Sequence, residues 1–209
     1  MCLLPLALLL VAPPSPAAEP FKYPPGPLAG NGAAADGWGG PWEGDGTVAA
    51  GSLAKVSGGA AFRKLAAPVE AGTVWLGVTV RRTGAATQDT FAGVSLFDGD
   101  DEKLFVGQRY EQTAWGLERS GGDGANGPDL KDAAVRLVVR LDLSGDKADA
   151  RLWVDPAGDP KDGKPAAELL GQPGFRFDRV RLATGNADAP TLEVRGLKVG
   201  GKYADVAAK

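Results

Sequence analysis

The sequence has no histidine, and its only cysteine, Cys2, stands at the N-terminal end. A chain without histidine has no Ser-His-Asp triad, no histidine general acid or base and no His-ligated zinc. Cys2 precedes an apolar run of the signal-peptide type, so the predicted mature chain has no cysteine for thiol nucleophiles, iron–sulfur clusters or disulfides. A glycine-rich phosphate loop ending in Lys-Ser or Lys-Thr is also missing. Carboxylate pairs and hard metal ions are the chemistry that these absences leave.

The chain also has no net positive charge. The 209 residues carry a formal net charge of -3 with a sequence pI of about 5.1, which disfavours nucleic acid as a partner. Hydrophobic residues make up 44% of the chain, enough for the core of one large domain. The 31 glycines and 16 prolines fit many short strands joined by turns and disfavour a helical bundle, because both residues destabilise helices.

The N-terminal residues have the pattern of a secretory leader. Leu3 to Ala12 are apolar apart from Pro5, a run too short to span a bilayer but suited to a signal-peptide core. Small residues within 15–18 provide a cleavage site, although no Lys or Arg precedes the run. We therefore predict that residues 1–18 are a signal peptide and that the mature chain is exported without a membrane span. A buried N-terminal strand is the alternative.

The segment that follows, residues 19–46, is rich in glycine, proline and alanine. It also contains four large aromatic residues, Phe21, Tyr23, Trp38 and Trp42. Disordered linkers normally lack such residues. The segment is therefore predicted to be an ordered arm whose rings pack on a domain formed by residues 47–209.

From residue 47 onward the pattern is typical of β-strands. Apolar and polar residues alternate most clearly in 135–143 and 74–81, and this period of two indicates strands with one buried face. Further strands are predicted at 91–97, 103–108, 113–119, 150–154, 175–183 and 191–199, with a hairpin turn at 98–101. Loops are predicted at 121–128 and 155–164, and a short helical turn at 166–170. Roughly ten strands without a long amphipathic helix predict an all-β fold, an antiparallel two-sheet sandwich or a barrel.

A series of short segments adds a family resemblance to this pattern. The segments are 21–30, Gly37-Trp38-Gly39, Val74-Trp75-Leu76, 93–97, 103–107, Trp115-Gly116-Leu117-Glu118, 137–142, 151–155 and 177–182. Their order resembles that of a group of secreted bacterial proteins with a concanavalin A-like lectin/glucanase sandwich, and the resemblance covers nearly the whole mature chain. It implies a jelly roll of two antiparallel sheets, an extracytoplasmic location in a bacterium, and a concave face of the kind that often binds glycans in the wider superfamily.

The same resemblance implies where a catalytic site would lie. Related β-glucanases carry their catalytic carboxylates on one strand as Glu-x-Asp-x-Glu or Glu-x-Asp-x-x-Glu. The nearest match is Glu43-Gly44-Asp45, but Thr47 and Val48 stand where the second glutamate belongs. We therefore predict a protein that is not an enzyme and has no catalytic residue.

A sugar site needs flat apolar faces beside polar groups. Trp75 shares its predicted strand face with Arg81, which suits an open sheet face, and further aromatic and basic residues lie in neighbouring segments. The predicted ligand-binding residues are Phe105, Arg109, Tyr110, Trp115, Trp75 and Arg81. The alternative is that the tryptophans are covered by loops or by the arm, because large aromatic side chains are usually mostly buried.

Acidic loops are the candidate metal sites. Asp98, Asp100 and Asp101 lie in one predicted turn and could supply oxygen ligands to calcium, although their spacing is not that of an EF-hand. A second acidic loop at 155–162 is the weaker candidate. Asp-Gly is also an ordinary turn sequence, so a turn without metal is the alternative. No other cofactor is predicted.

Three functions follow, in order of preference. The first is an exported, non-catalytic β-sandwich that binds a polysaccharide or a cell-surface glycan. The second is a structural or interaction module of the cell envelope or extracellular matrix, without a small ligand. The third is a glycoside hydrolase or lyase with an unfamiliar carboxylate pair, which requires two acids roughly 5–10 Å apart in a cleft.

Overall fold

A computed structural model describes residues 15–85, 87, 89–185 and 190–208. Within these residues the fold is all-β, with two antiparallel sheets packed as a sandwich. The strands are β1 (Ala17–Glu19), β2 (Gly26–Pro27), β3 (Glu43–Gly44), β4 (Thr47–Ala49), β5 (Leu53–Ser57), β6 (Ala60–Val69), β7 (Gly72–Thr83), β8 (Phe91–Asp98), β9 (Asp101–Gln108), β10 (Ala114–Arg119), β11 (Gly124–Asp129), β12 (Val135–Ser144), β13 (Lys147–Val154), β14 (Ala167–Pro173), β15 (Phe177–Gly185) and β16 (Thr191–Gly200). A 3₁₀ turn at Pro160–Asp162 and a short helix, α1 (Tyr203–Val206), are the helical elements of this part of the chain, and neither is long or apolar enough to cross a membrane.

The larger sheet has nine strands in the order β14-β13-β12-β7-β16-β5-β4-β2, with β1 paired to the end of β16. Its central pair is β7 and β12, which run in register from Val80 opposite Val135 to Gly72 opposite Leu143. The alternation predicted for these two segments is confirmed, because each strand has one face in the core. The inward residues include Val74, Leu76, Val78, Leu137, Val139 and Leu141.

The smaller sheet has seven strands in the order β11-β10-β9-β8-β15-β6-β3. The predicted hairpin is confirmed as β8 and β9, which pair up to Asp98 opposite Asp101. The inward residues of this sheet complete the core; they include Val94, Leu96, Leu104, Val106, Leu117, Val180 and Leu182. Burying one such side chain stabilises the fold by about 1.5–3 kcal/mol, so the two facing apolar layers hold the sandwich together.

Two segments differ from the sequence-based prediction. Residues 124–128, predicted as part of a loop, lie in β11, and residues 167–170, predicted as a helical turn, lie in β14. Both strands are at the edge of a sheet. An edge strand pairs on one side only and tolerates proline and glycine, as in the Gly-Ala-Asn-Gly-Pro-Asp sequence of β11. Such strands lack the regular alternation that marks a half-buried strand.

Three of the four aromatic residues of segment 19–46 lie in the core of the sandwich, and Tyr23 packs against it. Phe21, Trp38 and Trp42 are at most 2% exposed, and the Trp42 ring lies 5.7 Å from that of Phe21 and 6.4 Å from that of Trp38. Strand β1 begins at Ala17, inside the segment predicted to be a signal peptide. The removal of a leader stays a prediction, and residues 1–14 of that leader lie outside the described part of the chain.

A buried ion pair joins this segment to the smaller sheet. Glu19 and Arg63 form a salt bridge with side chains 0% and 4% exposed. The Glu19 carboxylate also accepts hydrogen bonds from the Phe21 amide at 2.5 Å, the Tyr23 hydroxyl at 2.7 Å and the Trp42 indole at 2.9 Å. The carboxylate therefore has donors on all sides, which is the condition for a charge to be tolerated away from water.

Candidate ligand-binding surfaces

The outer face of the seven-stranded sheet has a row of residues without large side chains. The register places Gly116, Gly107, Gly93, Ala183 and Ala60 side by side across five strands, and Asn126 of β11 lies next to Gly116 at one end of the row. Larger side chains from neighbouring positions lie over this row. Glycines of a sheet are commonly covered by aromatic rings in this way.

Two phenylalanine rings occupy the space above the glycines. A Cβ atom added at Gly93 would lie 2.7 Å from Cζ of Phe105, and Phe91 covers Gly185 in the same manner. The ring centroids of Phe91 and Phe105 are 6.1 Å apart with an angle of 81° between the planes, an edge-to-face contact. Phe105 is 6% exposed and Phe91 is half-buried, so Phe91 presents most of the accessible ring surface.

A polar network borders these rings. Arg109 donates from Nε to Glu118 at 3.0 Å and from NH1 to Asn126 at 2.8 Å. The amide nitrogen of Asn126 donates to Gln112 at 2.7 Å. Asn126 is exposed and the other side chains of the network are partly exposed, and the Arg109 side chain lies across Gly116 and Gly124, because both positions lack a side chain of their own. We name Phe91, Phe105, Arg109, Glu118 and Asn126 the glycine-row surface.

Farther along the same face a guanidinium lies against two rings. Arg181 lies 5.6 Å from the ring centre of Phe62 and 5.2 Å from that of Phe97. It also pairs with Glu102 at 3.6 Å. Arg181 Nε and the hydroxyl of Ser95 are buried and have no hydrogen-bond partner in the described part of the chain. This end of the face therefore has polar groups, but its own side chains cover them.

The six predicted ligand-binding residues fall in separate places. Phe105 and Arg109 belong to the glycine-row surface, and Tyr110, 48% exposed, follows directly after Arg109. Trp115 faces the interior and is 1% exposed, because it shares the inward face of β10 with Leu117. Trp75 and Arg81 lie on the outer face of the opposite sheet. The structure thus brings three of the six residues together and separates the other three.

Trp75 lies under the C-terminal helix. Its ring stacks on Trp153 with the centroids 6.0 Å apart, and Tyr203 of α1 contacts its edge at 5.5 Å. Val206 of α1 covers Gly77, and Trp75 and Trp153 are 5% and 7% exposed. The sequence analysis gave burial of the tryptophans by loops or by the arm as the alternative to an open face. Trp75 is indeed buried, but by the C-terminal residues and not by the arm.

The three aspartates proposed for calcium are bound to basic side chains. Asp98 accepts two hydrogen bonds from Arg176 at 3.0 and 3.1 Å. Asp100 lies 3.7 Å from Arg179, and Asp101 lies 3.6 Å from Lys103. Among the described residues no three acidic side chains converge as metal ligands would. The three aspartates therefore have basic neighbours in the structure, and a calcium site there stays a prediction.

Sequence reasoning did not predict a ligand-binding role for three residues of the glycine-row surface, Phe91, Glu118 and Asn126, or for Gln112, which is bonded to Asn126. Each lies in a separate segment, so only strand pairing reveals that they are neighbours. One signal was present, since glycine occurs at the outward positions 93, 107 and 116 of three consecutive strands.

Comparison with known proteins identifies the fold and no family. No family model and no curated protein matches the chain. Among solved structures, the chain is similar to a bifunctional GH43-CE protein of Bacteroides eggerthii at a TM-score of 0.56 and 14% identity, covering 89% of this chain and 27% of that one. It is similar to the binding domain of botulinum neurotoxin DC in complex with SialylT at 0.52 and 6% identity, covering 77% and 42%.

An uncharacterized protein of Mycobacterium paratuberculosis is similar over its whole length. The TM-score is 0.53 and the identity 12%, covering 87% of this chain and 98% of that one. At these identities the likeness shows a shared sandwich fold. The chain spans less than half of the neurotoxin domain and of the GH43-CE protein.

Proposed function

We propose that the protein binds a saccharide without cleaving it, and that the glycine-row surface is the binding site. The observation that carries the proposal is the half-buried ring of Phe91 in edge-to-face contact with Phe105, because Phe105 lies opposite Glu118, which belongs to the network of Arg109 and Asn126. A sugar presents an apolar face and a rim of hydroxyl groups. An aromatic ring next to fixed donors and acceptors matches both parts.

The neighbours in fold support a glycan as ligand. The botulinum neurotoxin domain is a binding domain that forms a complex with SialylT. The fold alone does not determine function, since one sandwich serves unrelated activities. The side chains of this surface, rather than the fold, would therefore determine which ligand binds.

The state of the carboxylates supports binding without hydrolysis. Glycoside cleavage uses one carboxyl group as an acid and a second as a base or nucleophile. On this face Glu118 is paired with Arg109 and Glu102 with Arg181. Each carboxylate thus faces an arginine rather than the other carboxylate, an arrangement that suits hydrogen bonds to sugar hydroxyl groups better than paired acid and base catalysis.

A glycan array with the folded protein tests the proposal, followed by calorimetry with the best ligand. We expect Phe91→Ala and Arg109→Gln each to weaken binding about tenfold, which corresponds to roughly 1.4 kcal/mol. Leu170→Ala is the control, because Leu170 is 49% exposed and lies on β14 of the other sheet. Absence of binding to every glycan, with and without calcium, would contradict the proposal and favour a structural or interaction module.

Export to the cell surface or beyond is part of the same proposal. It depends on the leader pattern in residues 3–12 and on the resemblance described above. Sequencing the N-terminus of the protein recovered from the medium tests it. Removal of residues 1–18 would give a start at Glu19, but a start at or before residue 17 is expected instead, because Ala17 is buried and pairs with Val199.

A further inference from the structure

A cleft lies on the outer face of the nine-stranded sheet, at the end of β7. It consists of two adjoining cavities of about 370 and 280 Å³ that share Arg81 and Asp132. One cavity continues toward Glu193 and Arg195 on β16, and the other toward Lys131 in the loop before β12. Together the two cavities have the size of a site for a small ligand.

Basic side chains dominate this cleft although the chain as a whole is acidic. Glu193 lies directly opposite both Lys55 and Arg81 in the register, and it is bound to Lys55 at 2.8 Å. Its charge is therefore balanced within the protein. Arg81, Arg195 and Lys131 then face a single remaining carboxylate, that of Asp132, among the side chains that line the two cavities.

The ion pair at the centre of the cleft is exposed. Arg81 NH2 lies 3.0 Å from Asp132, and the two side chains are 44% and 82% exposed. A pair with this exposure contributes little to stability, because water solvates both charges when they separate. Arg81 uses one nitrogen in this contact, whereas a guanidinium binds a carboxylate best through two parallel hydrogen bonds. A carboxylate from a ligand could therefore replace that of Asp132.

A second guanidinium lies behind the cleft. Arg82 is 6% exposed and donates to the carbonyl oxygen of Gly84 at 2.7 Å and to the hydroxyl of Thr90 at 3.2 Å. Its side-chain amide partner, Gln108, is also neutral. Among the described residues the hydrogen-bond partners of Arg82 are neutral oxygen atoms, which satisfy its donors without neutralising its charge, and this charge favours an anion in the adjoining cavity.

We propose that this cleft binds the carboxylate of an acidic sugar, a uronic acid unit, with Arg81 exchanging Asp132 for the ligand. Arg195 and Lys131 flank the position of the ligand carboxylate. That the ligand is a sugar depends on the function proposed above. The selectivity for a carboxylate depends only on the residues of the cleft.

Titration calorimetry with glucuronate, glucose and acetate on the folded protein tests this site. We expect binding of glucuronate, weaker binding of acetate and none of glucose at the cleft. Arg81→Gln should weaken glucuronate binding at least about tenfold, the effect of losing a charged hydrogen-bond partner. Asp132→Asn should strengthen it several-fold, because the competing carboxylate is gone. Arg176→Gln, an exposed paired arginine elsewhere, should leave it unchanged.

Each result decides between supporting and overturning the proposal. The proposed site is wrong if Arg81→Gln binds glucuronate as tightly as the unaltered protein does. It is also wrong if Asp132→Asn binds glucuronate no better than the unaltered protein. Equal affinity for acetate and glucuronate overturns the assignment of a sugar. The Phe91→Ala variant separates this site from the glycine-row surface: it should retain glucuronate binding at the cleft even if it loses binding of neutral saccharides.

Discussion

The buried pair of Glu19 and Arg63 offers a test of how segment 19–46 is held to the sandwich. Arg63 lies 4.7 Å from the ring centre of Trp38, and it donates to the carbonyl oxygens of Gly40 and Ala33 at 3.0 and 3.1 Å. All of these partners belong to the same segment. Changing either charged residue therefore perturbs the attachment of the whole segment.

The size of the effect follows from burial. Removing one partner of a buried ion pair costs about 3–5 kcal/mol, because the other charge stays away from water without its partner. In a domain of this size 1 kcal/mol corresponds to about 2–4 °C in melting temperature. Glu19→Gln and Arg63→Met should thus each lower the melting temperature by about 6–20 °C. The double variant should cost less than the sum, by about 0.5–3 kcal/mol.

Urea unfolding of the four proteins of this cycle measures the free energies, with Lys161→Met as the control. Lys161 pairs with Asp159 at 3.3 Å, but its side chain is 61% exposed, so its loss should change stability by no more than about 1 kcal/mol. Single variants within about 1 kcal/mol of the unaltered protein, or additive effects in the double variant, would refute the reasoning. Either result would mean that the segment is held by its aromatic contacts and by the backbone pairing of β1, β2 and β3, without a net contribution from the ion pair.

Two further predictions concern Tyr23 and the C-terminal helix. Burial and the hydrogen bond to Glu19 raise the pKa of Tyr23 from 10.0 to about 12. The stabilisation by Tyr23 should therefore be complete below pH 10 and be lost as the pH rises to about 12. Urea unfolding at several pH values should show the stability difference between the unaltered protein and Tyr23→Phe shrinking from pH 10 to about 12. A difference that stays constant over this pH range would contradict the prediction. A Cβ at Gly77 would lie 2.9 Å from the Val206 carbonyl oxygen, so Gly77→Val should displace α1 and make Trp75 accessible to acrylamide quenching. Unchanged quenching would show that the helix adapts instead.

The predicted parts of the fold are those with a strong local signal. In β7 and β12 one face is buried along the whole strand, so apolar residues must recur at every second position, and this period is visible in the sequence. The edge strands β11 and β14 have no such requirement and were predicted as loop and helical turn. Short strands such as β2 and β3 depend on a neighbour for their pairing and have no pattern of their own.

Less of the candidate sites than of the fold could be predicted from the sequence. The alternation that identifies a strand leaves open which of its faces another part of the chain covers. Trp75 lies on an outward face, as its polar neighbours indicated, yet residues more than a hundred positions away bury it. Trp115 and Glu118 are three positions apart and therefore lie on opposite faces of β10, one in the core and one on the glycine-row surface.

The sequence by itself determined the all-β class, the principal strands and the chemistry that is absent, because these depend on residue type and on local periodicity. Only the tertiary structure decided which side chains meet. Arg109, which directly follows β9, bonds to Glu118 of β10 and Asn126 of β11, and the Arg81 cleft joins β7, β16 and the loop before β12. Such groupings arise from strand order and register, and these are set by the packing of two whole sheets rather than by any segment alone.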